Sequence, residues 1–166
     1  MANTTSTLTS KIGYQIRGDN SNESSFINTT TVLYSGVGSG QADYGIYNQV
    51  ELAVGEQIDL DFTDLEKPVF DVVASGISYQ NIKAIGIYNE ETQTGNDISI
   101  NVTGNGLTEI FNGGTGNVLV KPYGVYQYSD VTSGVIVDSS NKELSIVNEA
   151  ATGVTVSYAI IGVTGA

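Results

Sequence analysis

Glu51, Glu56, Asp59, Asp61, Asp64 and Glu66 crowd carboxylates into one short stretch of the chain. Within it, Asp59-Leu60-Asp61-Phe62-Thr63 presents oxygens at alternate positions, as a calcium loop does. An EF-hand also needs a central glycine and a terminal glutamate at fixed spacing, and both are missing. Paired carboxylates hydrolyse glycosides when they sit roughly 5–10 Å apart, a separation that the sequence alone does not set. The plainer reading, a solvated strand edge and turn, fits these residues better. Gly36-Val37-Gly38-Ser39-Gly40, Gly104-Asn105-Gly106 and Gly113-Gly114-Thr115-Gly116 are dense in glycine. None has the Gly-Lys-Ser/Thr ending that cradles a phosphate, so they read as turns. The chain has no histidine and no cysteine. That removes thiolate nucleophiles, the usual zinc ligands, the commonest base near neutral pH and the usual serine triad. The residues assign no catalytic group, no metal and no cofactor, and a non-enzymatic role is expected.

Tyrosine is the residue in surplus: ten Tyr stand beside four Phe and no Trp. Many belong to ordinary strands. Others suit contact surfaces, because tyrosine offers large area at low entropic cost while its hydroxyl stays bonded. Tyr14, Tyr34, Tyr44, Tyr47, Tyr123, Tyr126 and Tyr128 are the candidates for contact with another subunit. The competing expectation is that tyrosines, with Asn, Asp and Gln nearby, form a sugar-binding platform. The charge narrows the partners: eighteen acidic against six basic residues give −12, which repels a phosphate backbone. No apolar run approaches membrane-spanning length, so neither nucleic acid nor membrane is expected as a partner.

The elements that must position these residues are strands. Thr31–Tyr34, Tyr44–Leu52, Gln57–Phe62, Ile77–Tyr88, Asp97–Thr103, Asn117–Val120, Gly124–Tyr128, Gly134–Val137, Glu143–Val147 and Val154–Val163 are rich in Val, Ile, Tyr and Thr. Clusters of Gly, Asn, Ser and Asp separate them. The pattern predicts an all-β domain over 32–166, an antiparallel β-sandwich and in finer detail a jelly-roll-like one. Residues 1–31 are dominated by small polar side chains and predict a flexible N-terminal arm or loosely attached strand. A short helical turn is expected within 61–73, where Thr63-Asp64-Leu65-Glu66 could cap it before Pro68 ends it. Ile87-Tyr88-Asn89-Glu90 and Ile146-Val147-Asn148-Glu149 each end a strand in Asn-Glu before a polar, glycine-containing loop. Those loops read as hairpin connections. In Val118-Leu119-Val120-Lys121-Pro122-Tyr123-Gly124-Val125, Pro122 and Gly124 interrupt a good strand. They mark a bulge or corner at which the chain leaves one sheet and either enters another or reaches an edge.

Several blocks together carry a resemblance. They are Gln41-Ala42-Asp43, Ile58-Asp59-Leu60, the run from Tyr79 to Asn89, Val118 to Val125, Glu143 to Asn148 and Val156 to Val163. Across roughly residues 32–166 the chain resembles a family of small virion-associated proteins of tailed bacteriophages. The resemblance implies a β-sandwich subunit on the outer surface of the capsid, a decoration or cement protein. Its partner would be the major capsid protein, and it would form a homo-oligomer, with a trimer favoured. Members of the family often carry Pro-Gly-Gly where this chain has Pro122-Tyr123-Gly124. A ring therefore stands at a usual glycine position.

Overall fold

Alternation is the local cause of the fold. In Glu143-Leu144-Ser145-Ile146-Val147-Asn148, every second residue is buried and the residues between them are half-buried. A strand with period two can bury one face only by laying it on another layer. A computed structural model describes residues 5–15, 23–69, 72–102, 104–111, 116–130 and 132–164. The strands are β1 (Thr5–Gln15), β2 (Glu23–Ser35), β3 (Gln41–Ala42), β4 (Tyr44–Leu52), β5 (Gln57–Asp61), β6 (Leu65–Val69) and β7 (Val72–Ile77). They continue with β8 (Tyr79–Asn89), β9 (Ile98–Val102), β10 (Gly116–Val120), β11 (Val125–Ser129), β12 (Val135–Ile136), β13 (Glu143–Asn148) and β14 (Val154–Thr164).

Two antiparallel sheets face each other. One has the order β10-β9-β13-β5; the other runs β11-β8-β14-β4, with β12 also pairing β8. Ile82, Ile85, Ile87, Val156, Tyr158 and Ile160 of the second sheet meet Leu60, Ile98, Ile100, Val102, Leu144 and Ile146 of the first in one core. Each fully buried aliphatic side chain contributes about 1.5–3 kcal/mol, so this face-to-face layer is the main source of stability. The antiparallel sandwich expected from the strand pattern is the architecture observed. β1 pairs antiparallel with β2, and the last two residues of β2, Tyr34 and Ser35, pair in parallel with Gln41 and Ala42.

Two local expectations are corrected. Among the described residues of 61–73 there is no helical turn. The Asp61 carboxylate accepts both the Thr63 amide at 2.8 Å and the Thr63 hydroxyl at 2.5 Å, which makes a tight turn rather than a cap. The chain then enters β6, paired antiparallel with β7, and Pro68 suits such a two-stranded edge better than a helix interior. Among the described residues the helical turn lies elsewhere, at Thr108–Phe111.

The loops after the Asn-Glu pairs are not hairpin connections. β8 and β9 lie in different sheets, as do β13 and β14, so each loop crosses the sandwich. The two asparagines are buried because they fasten those crossings. The Asn89 side-chain amide donates to the carbonyls of Asn96 (2.8 Å) and Val120 (3.1 Å) and accepts the Glu91 amide. The Asn148 amide lies within reach of the carbonyls of Leu52, Ala53 and Thr152 at 3.1, 2.9 and 2.8 Å, and accepts the Ala150 amide. The glutamates match as well. Glu90 accepts the Ser157 hydroxyl from the strand beside β8, and Glu149 accepts the Ser99 hydroxyl from the strand beside β13.

Candidate functional site

The segment 118–128 turns from one sheet into the other, since β10 belongs to the first and β11 to the second. Pro122 fixes the first central position of the turn, and the Gly124 amide donates to the Lys121 carbonyl at 2.7 Å. Gly124 is required by space: a Cβ there would stand 2.6 Å from the Lys121 oxygen and 2.9 Å from a Val120 methyl. Tyr123 occupies the second central position with φ of +58°, and it is the non-glycine residue with positive φ among the described residues. Such a turn favours glycine there, and a tyrosine pays about 1–2 kcal/mol for the left-handed backbone. Its amide, shared between the carbonyls of Asn89 (3.0 Å) and Glu91 (3.1 Å), ties the corner to the β8–β9 crossing. The ring receives no compensating burial, being 62% exposed. Leu119 before the corner and Val125 after it are exposed too, which gives this margin an apolar character.

Among the described side chains Tyr47 is the other exposed candidate. Its hydroxyl lies 2.9 Å from the Ser157 hydroxyl on the neighbouring strand, so the ring leans across the sheet surface. Glu90 takes the Ser157 hydroxyl and accepts the Gln49 amide at 2.6 Å, completing a chain of hydrogen bonds over β4, β14 and the end of β8. The remaining candidates sit elsewhere. Tyr44, Tyr126 and Tyr128 are partly buried against the core. Tyr44 meets Tyr79 edge to face at 6.4 Å, and the Tyr126 hydroxyl donates to the Ile110 carbonyl at 2.9 Å. Burial pushes the Tyr126 phenol up to about 12, with a smaller contribution from Tyr128. Tyr14 lies in β1 and Tyr34 in β2, and their side chains fall outside what the structure describes.

Three carboxylates of the acidic stretch are bonded to their own neighbours, and the Glu66 side chain lies outside what the structure describes. Glu56 accepts the Ala53 amide, and Asp59 accepts the Ser145 hydroxyl and the Gln57 amide, each at 2.6 Å. Asp61 accepts the Lys142 ammonium. Among the described residues no three acidic side chains converge as a metal group. An open pocket of about 480 Å³ at the β4–β5 turn is lined by Glu51, Leu52, Ala53, Glu56, Gly153, Val154 and Thr155. Of the glycine-rich stretches, Gly113 to Thr115 lie outside the described residues. Sequence reasoning missed Lys83, which is 3% exposed on β8 and donates from its ammonium to the Thr132 carbonyl at 2.8 Å. A lysine amid Ile82, Ala84 and Ile85 was its available signal.

No family model and no curated protein matches the chain. Among solved structures it is similar to a de novo designed double-stranded β-helix studied in solution, at 11% identity over 69% of this chain and 97% of that one, with TM-score 0.37. It is also similar to the crystal structure of PirA, at 13% identity over 72% of this chain and 95% of that one, with TM-score 0.37. At that level neither likeness bears on fold family or function.

Proposed function

We propose that this chain is a non-catalytic structural protein of a phage virion, a decoration or cement subunit on the outer capsid surface that bridges major capsid subunits. The observation that carries the reading is Tyr123, where a strained backbone holds a large ring out in solvent at the turn between the two sheets. Strain kept at a display position calls for a functional reason, and an exposed tyrosine is a common anchor of protein contacts. Support also comes from the strand orders β4-β14-β8-β11 and β5-β13-β9-β10. Followed along the chain, they fit a jelly roll of eight strands, an architecture that capsid proteins share with lectins and cupins. Because that architecture serves several functions, the virion assignment draws on the sequence resemblance. Within this reading the arm, residues 1–31, includes β1 and most of β2, and among the described pairings Tyr34 and Ser35 at the end of β2 join β3. In a homo-oligomer several such arms engage at once, which multiplies a modest contact.

The test is binding of the purified protein to undecorated capsids, comparing the natural chain with Tyr123→Gly. Saturable binding that the glycine variant loses while keeping its fold supports the proposal. Absence of capsid binding, accompanied by reproducible selectivity for a host polysaccharide that Tyr123→Gly abolishes, would replace it with the polysaccharide-binding reading.

A further inference from the structure

The two sheets have four edge strands, and β4 is the one protected by neither short length, proline nor a central charge, although its Gln49 backbone amide donates to the Asn48 side-chain oxygen at 2.9 Å and must be released for pairing. β5 carries Asp59 and Asp61 in five residues, β10 runs into Lys121 and Pro122, and β11, five residues long, follows the same proline corner. Short length, charge and proline are the means by which sheet edges are kept from joining other chains. β4, the edge beside β14, is nine residues long, Tyr44-Gly45-Ile46-Tyr47-Asn48-Gln49-Val50-Glu51-Leu52. It contains no proline and no lysine, and its single charge is near one end. Among the described residues it pairs with β14 alone.

The β4 sequence is also compatible with itself. Two antiparallel copies centred on Asn48 place Glu51 opposite Gly45, Tyr47 opposite Gln49, Ile46 opposite Val50, and Tyr44 opposite Leu52. No like charges meet, the apolar pairs continue the core face, and the exposed Tyr47 gains an amide neighbour. We infer that β4 is a homodimer edge: two copies of the chain join β4 to β4 about a two-fold axis, making one continuous eight-stranded sheet from two four-stranded paths. The opposing term is the net charge of −12 on each copy, which acts over a Debye length and is screened by salt. Dimerisation therefore strengthens as ionic strength rises. The inference does not rest on the virion reading, and its two-fold symmetry differs from the three-fold one that the resemblance implies.

Gly45 offers a clean test. It is exposed on β4, and a Cβ there would meet only ordinary contacts, at 3.7 Å from the Ile160 oxygen and an Ile161 carbon. Gly45→Lys would face Glu51 of the second copy twice in the dimer, and Gly45→Glu would set two like-charge pairs. With about 0.2–1 kcal/mol per cross-strand charge pair, the dimer constant should tighten several-fold in Gly45→Lys and weaken several-fold in Gly45→Glu. Sedimentation of each protein across a concentration series at low and high salt reads both effects. A monomer at high micromolar concentration in high salt overturns the inference. So does a trimer mass, or the same response to the lysine and the glutamate. A chain without cysteine permits a second check: Asn48→Cys should cross-link between copies under mild oxidation, whereas Asp59→Cys on the β5 edge should not. The reverse pattern also overturns the inference.

Discussion

Tyr123, Asn89 and Asn148 show how much single residues decide here. Replacing Tyr123 with glycine removes the left-handed strain of about 1–2 kcal/mol and adds about 0.4–1 kcal/mol of unfolded-state freedom. Denaturant unfolding should therefore find Tyr123→Gly unchanged to about 1 kcal/mol more stable, although it removes a large side chain. A loss of stability would mean that the ring supports the fold. The buried asparagines behave oppositely. Asn148→Ala orphans carbonyls at the β4–β5 turn and the β13–β14 crossing, and Asn89→Ala does so beside Val120. With about 1–3 kcal/mol for each unsatisfied buried group, each variant should lose about 2–4 kcal/mol in the same assay. Charge adds a pH dependence. Burial raises the Asp61 carboxyl, but hydrogen bonds from Lys142 and from the Thr63 hydroxyl and amide outweigh it and hold the pKa below the ordinary 3.8. A group depressed in the fold stabilises above its unfolded pKa, and that stability disappears as pH falls through the folded value. The melting temperature should therefore drop below about pH 4, and less steeply in Asp61→Asn. At the alkaline end burial raises Tyr79, Tyr126 and Tyr128. Unfolded tyrosines ionise near about 10, so stability is intact below that pH and is lost as pH rises toward the folded values. In a chain without tryptophan, tyrosinate absorbance follows this directly, and ionisation of these three should coincide with unfolding.

At the level of elements, much was legible because alternation and turn residues are local signals. Tyr44–Leu52 reads as one strand from sequence and is one strand in the fold. The pattern around Pro122 points to a change of sheet, and β10 and β11 do lie in different sheets. What the local pattern could not convey was the destination of each loop. A polar segment after Asn-Glu looks the same whether it returns beside its own strand or crosses the core. The discriminating feature is the burial of Asn89 and Asn148, a property of the assembled layers. The turn at 61–73 failed for a related reason, because Asp61 bonds forward to Thr63 and backward in space to Lys142, a partner remote in sequence. Among the proposed contact residues, sequence could not separate Tyr47 and Tyr123 from the core-packed Tyr44, Tyr126 and Tyr128, since exposure depends on which strand lies opposite. The β1–β2 pair is the element whose role is most open to experiment. An isolated two-stranded hairpin is marginal in water, so removing residues 1–30 should leave the denaturant midpoint of the sandwich nearly unchanged and, if the proposed virion role holds, reduce occupancy on capsids. A midpoint shift as large as the binding loss would make the hairpin part of the fold rather than an arm.

For the whole molecule, the same interlocking that secures the sandwich also governs when it can form. β14 lies between β8 and β4, and the Asn148 amide just before it grips carbonyls of Leu52 and Ala53. The middle of one sheet is thus supplied by the last strand described, and its partners β4 and β8 end about 100 and about 65 residues before it begins. Contacts of such long sequence separation slow folding, because the loop entropy must be overcome before they contribute. During synthesis β4 and β8 leave the ribosome long before β14 does, and each lacks its shared hydrogen-bonding partner until then. A nascent chain halted before residue 154 holds two half-sheets without their shared strand, so the sandwich closes only once β14 has emerged. Until then the chain depends on its abundant threonine, serine and acidic residues to stay in solution.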